Sequence, residues 1–167
     1  DNNVYLYPAK DLLFYQADLR GKYLLKQRME VFQAMMEQEN VTVVTSFDGF
    51  MDALLPFSVM KERIRVFKLG ETVDFEQLKR DMVSLGYDRE EEISGPGQFA
   101  VRGGILDIYP LTEEVPIRIE LWGDEIDSIN IFDCNTQLSK EKVTVAEIYP
   151  DIVAGDSEEE LVSITDI

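Results

Sequence analysis

The residue types that most often carry out catalysis or hold metal ions are scarce in this sequence. Histidine is absent, and Cys134 is the one cysteine. Without histidine the commonest general base is missing, and no Ser–His or Cys–His nucleophile pair can form. A single thiol also disfavours a zinc site. We interpret Cys134 as a small residue near a turn, in a chain suited to the reducing cytoplasm because it can form no intrachain disulfide.

A second chemical possibility rests on carboxylates that crowd one stretch, namely Glu120, Asp124, Glu125 and Asp127. A pair of carboxylates can act as acid and base in glycoside hydrolysis when their environments separate their pKa values. This stretch, however, has the pattern of a hairpin turn, where carboxylates are normally solvated. We therefore favour a solvated turn over a hydrolase site.

Two glycine-rich stretches are candidates for a phosphate-binding loop, Gly95-Pro96-Gly97 and Gly103-Gly104. Neither is followed by the Lys-Ser or Lys-Thr pair of a P-loop. Pro96 also has no N–H group to donate to a phosphate. We interpret the first stretch as a turn and the second as a bulge or bend between two strands.

The most informative residues for binding lie on an alternating stretch from Val115 to Trp122. Arg118 and Trp122 share one face of this predicted strand, and Arg and Trp are enriched at binding hot spots. The pair forms an exposed contact for a protein partner, unless the region of Tyr87 or Phe132 covers Trp122. The other face is predicted to fill the core with Val115, Ile117, Ile119 and Leu121.

Arg102 is the third candidate contact residue. It alternates away from Phe99 and Val101, which predicts that its side chain points out of the core. The alternative is a structural role in a salt bridge to Glu120 or Asp127. Arg102, Arg118 and Trp122 are thus the predicted protein-binding residues, and the sequence predicts no catalytic or metal-binding residue.

The net charge of the chain indicates which class of molecule it binds. The 167 residues contain 33 acidic and 16 basic side chains, for a formal net charge of −17. Nucleic-acid binding draws most of its affinity from Lys and Arg, so this balance argues against DNA and favours a protein partner. A modest basic cluster near Arg63 and Arg65 is interpreted as a solvated strand edge. The longest apolar runs are too short to cross a membrane.

The elements that must position these side chains begin with a helix. Apolar residues spaced four, three and four apart predict a helix over Tyr23–Gln38 with one buried face, and Lys26 and Arg28 fall outside that face. A helix of this kind, between strands, indicates α/β architecture for residues 1–63. The apolar face is predicted to contain Leu25, Met29, Phe32 and Met36.

The strands around that helix complete the first predicted domain. Val4–Tyr7 predicts one strand, and the β-branched run Val41–Thr45 predicts a buried parallel strand. Ser46 is predicted to cap a short helix that runs through Leu55 and that Pro56 closes. The first residue of the chain is not Met, which suggests a part of a longer protein.

Residues 64–150 predict a small antiparallel α+β domain. Asp74 is a predicted N-cap, and Gly86 is placed to end the helix that follows. Asp88–Glu92 is predicted to be a solvated acidic loop. Residues 151–167 form an acidic segment in which Leu161–Ile164 begins a strand whose partners are missing. The predicted strands of the domain are Ile64–Leu69, Phe99–Arg102, Ile105–Tyr109, Val115–Trp122, Asp127–Phe132 and Val143–Ile148.

Three stretches together resemble the UvrB-type proteins of bacterial DNA repair. Residues 97–110, GQFAVRGGILDIYP, and residues 117–129, IRIELWGDEIDSI, are similar to the signature that opens the second domain of UvrB. Residues 7–19, YPAKDLLFYQADL, resemble transcription-repair coupling factors. UvrB carries a long β-hairpin in its first domain that probes damaged DNA, and the interval between Gln16 and Tyr23 is too short for it. The resemblance therefore favours the coupling factors.

The resemblance implies a fold of class α/β plus α+β. It consists of a partial, nucleotide-binding-like parallel α/β domain at 1–63, an antiparallel domain like the second domain of UvrB at 64–150, and an acidic return segment at 151–167. Relatives have a degenerate nucleotide site in this module, so we expect no cofactor here, with ATP and Mg²⁺ confined to the motor of the full-length protein.

The resemblance also implies a partner, because the second domain of this family is the docking surface for UvrA. Its contact residues match Arg102, Arg118 and Trp122, with Trp122 standing where relatives usually have Phe. Asn130 and Leu138 occupy positions where relatives often carry Arg, which weakens the basic character of the surface. RNA polymerase and DNA are expected partners of other parts of the full-length protein, and the chain itself is expected to be a monomer.

Three functions follow as hypotheses. The favoured one is a non-catalytic interaction module that recruits UvrA to stalled RNA polymerase in nucleotide excision repair. The alternative is a piece of a UvrB-type ATP-dependent helicase that recognises DNA damage, or a carboxylate hydrolase. A third, based on family analogy, is that another domain masks this surface until the motor engages polymerase.

Overall fold

The computed structural model describes residues 3–9, 18–151 and 162–163. The chain divides into two compact units. The first unit comprises Asp1–Glu62 together with Asp151–Ile167, and the second comprises Arg63–Pro150. Among the described residues, no helix is long and apolar enough to cross a membrane.

The first unit has a parallel pair of strands with a long helix between them in sequence. Strand β1 spans Val4–Tyr7, helix α1 spans Asp18–Glu37 and strand β2 spans Thr42–Thr45. The two strands pair in parallel. Met29 and Phe32 of α1 are fully buried, as the helical spacing predicted, and the Phe32 ring meets the Tyr7 ring edge to face. The helix begins five residues before the predicted start.

Two predicted charged surface residues of α1 lie in the interior instead. Lys26 and Arg28 are 4% and 3% exposed. The Arg28 guanidinium donates to the Pro8 carbonyl over 2.8 Å, pairs with Asp52 and lies over the Tyr7 ring. A buried charge is tolerated when it is paired and hydrogen-bonded in this way. Spacing alone could not indicate that partners from distant segments would enclose Arg28.

The segment after β2 differs from the prediction. Ser46 does cap a helix, accepting a hydrogen bond from the Gly49 amide, but this helix, α2, ends at Phe50. The predicted helix through Leu55 is wrong, because the chain turns at Met51 and forms the short strand β3 at Ala53–Leu54. Helix α3, Phe57–Arg63, follows and was not predicted.

Two further corrections concern strands of the first unit. Strand β2 is not buried, since its residues alternate between exposed and half-buried. Strand β12, Val162–Ser163, was predicted to lack partners but pairs antiparallel with β3. The return of the chain supplies that pairing, and Leu161 and Ile164 lie outside the described residues.

The second unit contains helix α4, Phe75–Ser84, and a six-stranded sheet of order β10-β9-β8-β7-β6-β5. All neighbours are antiparallel except β5 and β6, which run parallel. A separate two-stranded sheet pairs β4 with β11. The strands are β4 Arg65–Lys68, β5 Asp88–Glu90, β6 Gln98–Arg102, β7 Ile105–Tyr109, β8 Ile117–Trp122, β9 Glu125–Phe132, β10 Ser139–Val143 and β11 Val145–Ile148.

Both ends of α4 agree with the sequence. The Asp74 carboxylate accepts hydrogen bonds from the amides of Glu76 and Gln77, which would otherwise lack partners at a helix start. Gly86 follows the last turn with a φ of 86°. This left-handed conformation favours glycine and ends the helix.

Two strands rich in charged residues were not predicted correctly from the sequence. The predicted acidic loop at Asp88–Glu92 includes strand β5, whose side chains are all exposed. The predicted single strand Val143–Ile148 is really two, because β10 ends at Val143 and β11 begins at Val145 in a different sheet. Both β5 and β10 are edge strands, which commonly carry exposed charges.

The six-stranded sheet has two faces that alternation and register define. One face, here called the core face, is rich in buried aliphatic side chains, and its residue Phe99 lines a groove with α4. The opposite face, here called the outer face, carries the register row Ala100, Asp107, Arg118 and Asn130. The core face contains Phe99, Leu106, Ile108, Ile117, Ile119 and Ile129.

Candidate docking surface

The alternation predicted for β8 is confirmed where the strand is regular. Ile117 and Ile119 are buried on the core face, and Arg118 lies on the outer face. The register between β8 and β9 shifts between Glu120 and Leu121, which leaves Leu121 half-buried. Val115 precedes the strand and is half-buried.

Trp122 ends β8 beside the tight turn to β9, with its side chain 83% exposed. The alternative that Tyr87 or Phe132 covers it is wrong. The Tyr87 hydroxyl is buried and donates to the Tyr149 carbonyl, while Phe132 packs with Ile93. The indole therefore stands free on the hairpin.

Backbone hydrogen bonds hold this hairpin in place. The Gly70 amide donates to the Ile126 carbonyl over 2.9 Å, and the Val73 amide donates to the Asp124 carbonyl over 2.7 Å. The Ile126 amide in turn donates to the Glu71 carbonyl over 2.9 Å. Because three main-chain bonds tie the hairpin to the segment before α4, the position of Trp122 is fixed by the fold.

A buried carboxylate joins the two predicted arginines. Asp107 is 3% exposed and lies opposite Arg118 in the register of β7 and β8. Arg118 donates to both Asp107 oxygens, over 2.7 and 2.8 Å, and Arg102 donates to Oδ2 over 2.9 Å. The alternative salt bridge of Arg102 to Glu120 or Asp127 is therefore wrong in its partner. We call these three residues the Asp107 cluster.

Arg118 is held on more than one side. Its guanidinium also donates to the Gln137 side-chain oxygen over 2.8 Å and lies 4.3 Å from the centre of the Phe132 ring. Its pKa is raised above the ordinary value, chiefly by the hydrogen bond to Asp107. The arginine side chain is 13% exposed, compared with 49% for Arg102.

Register shows which side chains accompany Arg102 at the surface. Arg102 pairs with Ile105, and Ile105 pairs with Glu120, so the three form one row on the outer face. Trp122 lies two residues beyond Glu120 on the same side of β8. These four residues form what we call the docking patch. It combines one cation, one carboxylate, an aliphatic side chain and an exposed indole.

Asn130 and Leu138, which stand where relatives often carry Arg, differ in their exposure to solvent. Asn130 is 5% exposed and donates to the Ser128 hydroxyl, so it belongs to the supporting layer. Leu138 is 67% exposed in the connection between β9 and β10. Only an arginine at position 138 would have an open path to solvent.

The other candidate chemistries find less support in the geometry. Asp124, Glu125 and Asp127 are exposed around the hairpin, as expected for solvated carboxylates. The amides of Ser94 and Gly95 both donate to the Gln98 side-chain oxygen and are not directed at a ligand. Within the described residues, no three His, Cys, Asp or Glu side chains are grouped to hold a metal ion.

Sequence reasoning missed Asp107. The residue lies inside the apolar run ILDIY, between Leu106 and Ile108, which are both buried. A carboxylate flanked by core residues on a strand must face the opposite side of the sheet. That signal could have placed Asp107 beside the two arginines once the order of strands was known.

Comparison with known proteins adds an independent finding. Residues 66–152 match the family model described as the UvrB interaction domain. A transcription-repair-coupling factor of Bacillus subtilis is 37% identical over 150 residues, which is 90% of this chain and 13% of that protein. A transcription-repair-coupling factor of Staphylococcus epidermidis is 34% identical over 148 residues, 89% of this chain and 13% of its own length. The chain thus spans about 13% of the length of these relatives.

Proposed function

This chain belongs to the UvrB interaction domain family, and we propose from that premise that its second unit docks UvrA through Arg102, Arg118 and Trp122. All three residues lie within the matched segment and on the outer face. One observation carries the proposal: an indole that is 83% exposed stands on a fixed hairpin, on the same face of the sheet as a half-exposed arginine. Aromatic and arginine side chains in this arrangement are the usual centres of protein–protein binding energy.

In the longer protein, the proposed role is to recruit UvrA to stalled RNA polymerase during nucleotide excision repair. RNA polymerase and DNA would be bound by other parts of that protein. We propose that residues 64–150 form the UvrA-interaction domain, that 1–63 form part of a nucleotide-binding-like domain, and that 151–167 return toward it. The parallel pairing of β1 and β2 around α1 supports the second assignment. We further propose a cytoplasmic location and a monomeric chain.

The proposal is tested by measuring the affinity of purified UvrA for the chain and for substituted chains. Trp122→Ala is expected to weaken binding by about 2 kcal/mol if the indole is a hot spot, and Arg102→Ala by about 1.4 kcal/mol, which is tenfold in affinity. Val83→Ala is the matched control, because Val83 is 59% exposed on α4, which shares a groove with the core face. Unchanged affinity of a Trp122→Ala, Arg102→Ala double variant with an intact fold would contradict the proposal.

A helicase piece is the second candidate function, supported by the parallel α/β character of the first unit. It requires ATP binding and hydrolysis by the chain itself, whereas we propose that the chain binds no ATP and has no ATPase activity. Equilibrium dialysis with ATP and Mg²⁺, with and without duplex DNA, separates the two functions. Saturable binding would favour the helicase.

A further inference from the structure

Asp107 is the one acidic residue among the buried residues that the structure describes. A buried carboxylate is stable only when its charge is paired and its oxygens are hydrogen-bonded. Here both oxygens accept from guanidinium groups, two bonds coming from Arg118 and one from Arg102. The bidentate contact with Arg118 fixes the orientation of that guanidinium plane as well as its distance.

The two arginines differ in what remains available to a partner. Arg118 is enclosed by Asp107, the Gln137 side chain and the Phe132 ring, which leaves it 13% exposed. Arg102 makes one bond to Asp107 with Nη2 and is 49% exposed. The Asp107 cluster therefore presents one guanidinium outward while the other acts as its support.

We propose that Asp107 is a positioning residue for the docking patch: it acts through Arg118 and Arg102 to hold the outward guanidinium at a fixed place on the same face as Trp122. The inference rests on the proposed function, because the patch must bind UvrA for the positioning to matter. Among the three residues of that proposed function, the inference gives Arg118 the supporting role and leaves Arg102 and Trp122 as the direct contacts with the partner.

The direction in which Asp107→Asn changes the affinity for UvrA distinguishes positioning of Arg102 from simple electrostatic attraction. Asp107→Asn removes a negative charge and makes the outer face more positive. If the arginines served only to attract an acidic partner, this change would strengthen binding, because complementary potential raises association. If Asp107 positions Arg102, the same change weakens binding, because a neutral amide holds two guanidinium groups less firmly.

The experiment compares UvrA affinity for the intact chain, Asp107→Asn and the control Asp127→Asn. Asp127 is an exposed carboxylate on β9, so the control makes the same change in charge without touching the cluster. We expect Asp107→Asn to bind on the order of tenfold more weakly, the size of one hot-spot residue. Asp127→Asn is expected to bind as the intact chain does. Equal or tighter binding by a folded Asp107→Asn variant would overturn the inference.

The effects of Asp107→Asn and Arg102→Ala on UvrA affinity should not add, and a purely structural role of Asp107 would not produce this result. If Asp107 acts through Arg102, then Asp107→Asn should weaken binding much less in a chain that already carries Arg102→Ala. A full tenfold loss in that background would overturn the inference. Should Asp107→Asn fail to fold, Arg118→Lys replaces it, because lysine keeps the charge but loses the bidentate fork. Unchanged affinity of Arg118→Lys would then overturn positioning.

A measurement without UvrA separates failure of the inference from failure of the proposed function. In the isolated chain, NMR should show the Arg118 Nε–H exchanging slowly with water, and the exposed Arg89 Nε–H exchanging fast. Equal rates would overturn the cluster itself. If Arg118 is protected but the Trp122→Ala, Arg102→Ala double variant binds UvrA normally, the docking function is overturned. If that double variant binds weakly but Asp107→Asn does not, the positioning inference alone fails.

Discussion

Single residues in this chain acquire their properties from partners that are far away in sequence. Arg28 and Arg118 are both enclosed arginines, and each bonds to a carboxylate more than ten residues away, Asp52 and Asp107. Each also lies over an aromatic ring. Guanidinium groups suit such sites because they combine hydrogen bonding with stacking. Trp122, by contrast, is exposed, so its environment is set by water.

The exposure of Trp122 predicts a specific fluorescence signal, since it is the only tryptophan of the chain. Emission should be red-shifted and readily quenched by acrylamide, because water and the quencher reach an indole that is 83% exposed. Addition of UvrA should shift the emission to the blue and protect it from quenching. A blue-shifted, poorly quenched spectrum of the free chain would contradict the placement of the residue.

Acid stability depends on two carboxylates, the exposed Asp74 and the half-buried Asp133. The pKa of Asp74 is lowered chiefly by the hydrogen bond from the Gln77 amide, and that of Asp133 chiefly by the hydrogen bond from Lys140. A depressed pKa means that each contributes stability above its ordinary value of 3.8, and that this stability is lost as the pH falls below that value.

The unfolding midpoint should therefore fall on acidification below pH 3.8. Asp74→Asn keeps a cap that can accept a hydrogen bond but removes the titrating charge, so its midpoint should fall less over the same range. Urea unfolding at a series of pH values measures both curves. Parallel curves for the two chains would show that Asp74 does not contribute.

Sequence alone placed Trp122 on the outward face but left open whether another region covers it, and it could not identify what Arg118 touches. Alternation is local, and a strand with aliphatic residues at every second position has its faces fixed by burial. The partner of Arg118 depends on which strand lies beside β8 and in what register, and this information is spread over the chain. The same limit explains why Arg28 was expected at the surface.

The β8–β9 hairpin is the element on which the docking patch depends most. It joins two central strands of the sheet, and the segment 70–73 braces it through main-chain hydrogen bonds. Its turn contains Gly123 with φ of 63°. A left-handed residue at this position sets the direction of the turn beside Trp122.

Replacement of Gly123 tests how much this conformation matters. A Cβ at Gly123 would meet nothing within 4 Å, so any effect of Gly123→Ala must come from the backbone conformation. We expect a loss of about 1 kcal/mol in the free energy of unfolding, measured in urea. Gly123→Asn should lose less, because asparagine tolerates the left-handed region. Equal stability of all three chains would mean that the turn relaxes freely.

Elements with clear periodicity or caps were predicted well, and charged edge strands were not. Helix α4 was predicted from Asp74 and Gly86, which are both local signals. Strand β5 reads DRE and strand β10 reads SKEKV, and neither shows an apolar alternation. Their structure comes from hydrogen bonding to a neighbouring strand, which sequence periodicity does not record.

At the scale of the whole molecule, the chain contains two units with different strand arrangements. The first pairs β1 with β2 in parallel, and the second contains a mainly antiparallel six-stranded sheet. The Asp107 cluster and the docking patch both lie entirely within Arg63–Pro150. Everything that the proposed function requires is therefore carried by the second unit.

An excised chain of residues 63–150 should fold and bind UvrA with the affinity of the whole chain. Its core includes Ile119, Leu106 and Met82, which are fully buried. Urea unfolding of the excised chain, followed by circular dichroism, should give one transition, and titration with UvrA should give equal affinities for the two chains. Loss of binding by a folded excised chain would show that the first unit contributes to the surface.

At this scale the acidic composition favours a protein partner, and that class of partner stays a prediction. The second unit runs from Arg63 to Pro150, next to the predicted bounds of 64–150. Composition could not indicate that β12 pairs with β3, because each of these strands has only two residues. Contacts between segments that are far apart in the chain leave almost no local trace in its sequence.

The two-stranded sheet of β4 and β11 has a consequence for how this protein could be rebuilt. Arg65 pairs with Ile148 and Lys68 with Val145, so the strand that enters the second unit runs beside the strand that leaves it. Neighbouring strands are about 5 Å apart, which is the gap between the two arms of an ordinary β-hairpin. The unit could therefore be grafted into a surface hairpin of an unrelated host protein, which would then carry the proposed UvrA-binding surface.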